Sequence, residues 1–187
     1  MKKILFSALA LMSFGLANAD IKEDLAKCNE RAAKLQKLSD GYQSCGNEKI
    51  DGYATSIKDA SSFTISNSKQ LETYYKRQNG EIANDTISKP TYDEWKALSD
   101  SITKEADMIK IATDKGLTAG EEIANMTEKA TQEKNPMKIA KALKATKTAT
   151  GVFEFGKDAT PVLLEESAAQ LKIVGEIIKS LPSTIAQ

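Results

Sequence analysis

The sequence predicts a mainly α-helical protein, a single-domain bundle of about five to seven helices, and three observations carry that expectation. Apolar residues recur at alternating spacings of three and four, the repeat of one helix face. Capping signals punctuate the chain, and Pro90, Pro136 and Pro161 each lie at an expected helix start. Hydrophobic residues make up 41% of the 187 positions, enough to fill a packed core.

Residues 1–19 read as an export signal rather than as part of the fold. Lys2 and Lys3 precede an uncharged, mostly apolar run from Ile4 to Ala17, and Ala17-Asn18-Ala19 offers small residues for cleavage after Ala19. The run is shorter than the roughly 20 residues that span a bilayer. Cleavage removes both lysines, so the neutral balance of 26 basic and 26 acidic residues becomes −2 in a mature domain of residues 20–187. The signal places the protein in the bacterial periplasm or outside the cell.

The first helix is expected over Asp20–Leu38, with Ile21, Leu25, Cys28, Ala32 and Leu35 on its inner seam. Ser39-Asp40-Gly41 should end it. Residues 42–90 are the least regular part. Tyr53, Ile57 and Ala60 suit one short helix, and Leu71, Tyr75 and Ile82 another. A small β-hairpin within 61–88 competes, because Ser62–Ser66 alternates like a strand and Asn79-Gly80 is a favoured hairpin turn. Thr91 and Glu94 form a capping box for a helix carrying Trp95, Leu98, Ile102, Ala106, Ile109 and Ala112, which Gly116 should close. Thr118 and Glu121 repeat that pattern for a shorter helix to about Lys134. Asn135-Pro136 and Thr160-Pro161 each open another. The last helix carries Leu163, Leu164, Leu171, Val174, Ile177, Ile178 and Leu181 over a broad arc, so it should sit at the centre of the bundle. Gly175 within it suggests a close backbone approach.

The two cysteines, Cys28 and Cys45, suit a disulfide in an oxidising compartment. Such a bridge would add about 3 kcal/mol in the chain-entropy model. It requires Tyr42–Cys45 to fold back along the first helix.

Chemistry is narrowed by what the chain lacks. There is no histidine, so a histidine triad, haem attachment and the commonest zinc ligand are excluded. Neither a P-loop nor a dinucleotide fingerprint occurs, and no cofactor or metal site is expected. The paired carboxylates Asp93/Glu94, Glu121/Glu122 and Glu165/Glu166 fall in first turns of expected helices, where the helix dipole favours them. Arg31 and Arg77 are the only arginines, and the total charge is balanced, so nucleic acid is not an expected partner. Lys134, Lys138, Lys141, Lys144 and Lys147 form an uninterrupted basic run that suits an acidic protein, anionic lipid or envelope polysaccharide. Tyr74, Tyr75, Tyr92 and Trp95 are the aromatic candidates for a contact surface.

These features point to a non-enzymatic exported protein with an envelope partner, acting as an accessory, chaperone-like or secretion-apparatus component. A carrier of a small apolar ligand or lipid is the alternative. Intact-mass measurement on protein recovered from the periplasm is expected to give a chain beginning at Asp20; a chain still carrying Met1–Ala19 contradicts the export reading.

Overall fold

The computed structural model describes residues 21–82 and 88–181; the expected export signal lies outside the described residues. Among them are four helices and no strand: α1 (Ile21–Asp40), α2 (Glu48–Gln78), α3 (Tyr92–Gln132) and α4 (Pro136–Ser180). Cross-helix ion pairs fix an up-down-up-down order. Arg77 near the end of α2 meets Glu94 at the start of α3 (2.9 Å), and Lys49 at the start of α2 meets Glu122 late in α3 (2.9 Å). Lys172 late in α4 meets Asp24 at the start of α1 (2.8 Å). The last helix packs against all three others, as its broad apolar arc implies.

Every helix buries a seam with alternating steps of three and four, the geometry that lets neighbours interlock along shallow crossing angles. On α1 the seam is Leu25, Cys28, Ala32, Leu35 and Ser39. On α3 it is Trp95, Leu98, Ile102, Glu105, Ile109, Ala112 and Ala119. On α4 it runs Ala149, Val152, Gly156, Ala159, Leu163, Glu166, Gln170, Ile173 and Ile177. Seam continuity explains why four helices replace the expected five to seven. Thr118-Glu121 and Thr160-Pro161 carry capping chemistry, yet both lie inside helices whose buried stripe continues on either side. Pro161 is exposed, so its ring faces solvent while Ala159, Val162 and Leu163 stay in the core. The helix outlasts its missing N–H because burial of that stripe outweighs the local cost.

Among the described residues the competing hairpin within 61–88 is not formed; residues 83–87 lie outside them. Residues 61–78 belong to α2, and Ser61 and Ser62 fit it by donating to the carbonyls of Ile57 and Lys58 one turn back. Asn79-Gly80 is a helix terminator instead of a hairpin turn. Gly80 takes a φ of 69°, Glu81 N–H donates to Lys76 O (2.9 Å), and Gly80 N–H donates to Arg77 O (3.3 Å). That pattern is a Schellman cap.

The disulfide is also absent: Cys28 and Cys45 are both free. Helix α1 continues to Asp40, leaving Cys28 about 18 Å back along the axis at 1.5 Å per residue. Recovering most of that distance would need residues 41–45 extended back along α1, and the first of them lies in a turn closed by Tyr42 N–H to Ser39 O. Instead Asp51 gathers the loop into the start of α2, accepting from Ser44 Oγ, Cys45 N–H and Gly46 N–H.

Gly116 does not end a helix either. The Tyr53 ring of α2 is wedged between α3 and α4, where a Cβ on Gly116 would lie 3.1 Å from it and one on Gly156 only 2.5 Å. Gly175, by contrast, has open space around it. Beyond the body, α3 and α4 continue as a two-helix arm. The first buried residue of α4 is Ala149, so about 20 Å of its length precedes the point where the core closes.

The glycines give an opposed pair of expectations. Gly156→Ala should lower stability by about 1–3 kcal/mol through the clash with Tyr53. Gly151→Ala, in open space on the same helix, should raise it by about 0.5–1 kcal/mol. Denaturant titration of both variants measures this, and equal effects would contradict the packing described.

Candidate functional site

The core is divided in two by polar residues. One apolar cluster gathers around Leu35, Ile50, Ile57, Ile109 and Leu163, the other around Leu71, Trp95, Leu98, Ile102 and Ile173. Between them, at one level of the bundle, lie Arg31 of α1, Thr64, Asn67 and Ser68 of α2, Ser101 and Glu105 of α3, and Glu166, Ser167 and Gln170 of α4. Glu105, Glu166 and Gln170 are fully buried.

Two hydrogen-bonded groups make up this layer. Glu166 accepts from Arg31 Nε (2.7 Å), Ser68 Oγ (2.6 Å) and Gln170 Nε2 (3.0 Å). Gln170 Nε2 also reaches Ser68 Oγ and the Thr64 carbonyl, tying α2 to α4. Across the layer, Asn67 Nδ2 donates to Glu105 Oε2 (2.7 Å) while its Oδ1 accepts from Ser101 (2.9 Å), tying α2 to α3. Three oxygens here are buried without a hydrogen bond: Glu105 Oε1, Thr64 Oγ1 and Gln170 Oε1.

The electrostatics follow from burial. Loss of water pushes the Glu105 carboxyl up to about 7, although Asn67, Thr64 and Ser167 oppose the shift and the Glu166 carboxylate adds to it. Burial, then the same Glu166 charge, pushes the Cys28 thiol up to about 12, only partly countered by Arg31. Cys28 is therefore a thiol at neutral pH, accepting from Arg31 Nη2 at 3.4 Å, and a poor nucleophile. Burial alone would lower Arg31, but its hydrogen bond and attraction to Glu166 hold it raised. Among the described residues, no group of three or more acidic or cysteine side chains could hold a metal ion.

The residues singled out in the sequence do not assemble into one patch. Lys134, Lys138, Lys141, Lys144 and Lys147 are all exposed on the arm. Trp95 is fully buried at the opposite end, its ring edge-on to Tyr74 at 5.4 Å, so it packs the core and offers no contact surface. Tyr75 is half-buried beside a surface groove, and Tyr92 is exposed. The distance from Trp95 to the arm tip along α3 is about 55 Å. Of the paired carboxylates, Glu94 caps α3 and pairs with Arg77, whereas Glu122 and Glu166 lie mid-helix. Glu105, Asn67 and Gln170 had a signal in the sequence: each continues a seam of apolar residues at the three–four spacing.

Comparison with family models, with curated proteins and with solved structures returns no match.

The layer predicts a difference between the cysteines. A maleimide should label Cys45 in the folded protein and reach Cys28 only on unfolding. A native mass two hydrogens lower, with no labelling, would mean a disulfide and contradict the structure.

Proposed function

We propose that the protein is an exported, non-enzymatic contact protein of the bacterial cell envelope, whose four-helix body carries a basic arm that docks on an acidic face of an envelope protein. The surface of the arm carries this reading. Between residues 127 and 147, six lysines stand against two glutamates. Met137 (84% exposed) and Leu143 (52%) lie among them, an apolar contact set in a basic rim. An anionic lipid or polysaccharide would match the charge, but this stretch has no aromatic residue to seat in a lipid interface. Apolar-ligand transport has less support: the grooves beside α1, about 190 and 290 Å³, lie at the surface between α1 and α2, lined partly by Lys22, Lys69, Glu72 and Lys76.

A photo-crosslinker at Met137, used in intact source cells, is expected to capture an envelope protein. Combining Lys138→Glu, Lys141→Glu and Lys144→Glu should abolish that capture and leave the helical circular dichroism unchanged. Capture that survives charge reversal contradicts the reading.

A further inference from the structure

We propose that the polar layer is a proton-binding site: Glu105 carries a proton in the folded bundle, and its departure loosens the helices at that level. Charge counting supports this first. Among the described residues, the layer holds two buried carboxylates and one cation, and Arg31 is committed to Glu166 at 2.7 Å. Among the described residues no cation bonds to Glu105, which is neutral only if protonated.

Hydrogen bonding agrees. Glu105 Oε2 is taken by Asn67, whereas Oε1 is buried and unpaired. A proton on Oε1 turns an acceptor into a donor, and the Thr64 and Ser167 hydroxyls beside Glu105 can each accept as well as donate. The groups facing Glu105 are Thr64 and Asn67 from α2, and Ser167 and the Glu166 carboxylate from α4. Cys28 and Arg31 of α1 lie behind Glu166. None supplies a second positive charge. On deprotonation the proton passes to bulk water and leaves two like charges with one counterion, in a dry seam.

The sign follows from linkage. The carboxyl is raised from 4.5 to about 7 on folding, so the folded state holds the proton where the unfolded state has released it. The stabilisation is present below about 4.5 and is lost as pH rises to about 7, weakening the folding equilibrium on the order of 100-fold. Absence of histidine makes that window clean, because few other side chains titrate there.

Urea titrations across this window are expected to show the loss for the unmodified chain and a flat response for Glu105→Gln. Equal pH dependence in both chains overturns the proposal. Infrared spectroscopy of the unmodified protein gives a reading independent of the variant's folding. A protonated carboxylic-acid carbonyl band should be present at about pH 6 and gone by about pH 9; no band at the lower pH also overturns it.

Discussion

Arg31 donates to a Glu166 carboxylate that has no exposure to water, and the shortest helix is joined to the longest through that contact. A buried carboxylate without a partner costs several kcal/mol, so the pair restricts how α1 can slide along the bundle. A one-heptad slip would bring Asp24 or Leu38 to the position of Arg31 and strand the charge. Apolar seams alone would tolerate such slips, because their Leu, Ile and Ala positions recur every three or four residues. The polar layer breaks that repeat at one level, trading stability for a defined register.

Ion pairs at the two ends serve the same alignment. Arg77 bonds both Glu94 and the Ser88 carbonyl, closing α2 onto the start of α3. Glu94 is held below the usual carboxylate range first by the Thr91 backbone N–H and then by Arg77. Both arginines are thus spent on cross-helix carboxylates. The exposed positive charge of the arm is left entirely to lysine, which suits docking by field and rim rather than by bidentate recognition.

The inner faces of α1 and of the first half of α3 were legible in the sequence, because a run such as Leu25, Cys28, Ala32, Leu35 has one physical interpretation. Helix lengths were not. Gly116, Thr118 and Pro161 carry the chemistry of helix ends, and only their tertiary setting overrides it: the Tyr53 ring demands the glycine, and solvent accommodates the proline. Asn79-Gly80 was ambiguous because a positive-φ glycine serves a hairpin and a Schellman cap equally well. The buried layer was hidden for a different reason. Glu166 reads as a capping carboxylate beside Glu165 when classed by residue type, and both it and Glu105 read as core when classed by seam position. Position is the better guide here, since both continue the spacing of their apolar neighbours.

Arg31 and Glu166 act as one unit in the core, and a double-mutant cycle addresses that most directly. With Arg31→Met, Glu166→Gln and the double variant measured by urea titration, a coupling energy of at least about 2 kcal/mol is expected for a buried pair. Additive effects, with coupling within about 0.5 kcal/mol of zero, would contradict the claim that this contact sets the register of the bundle.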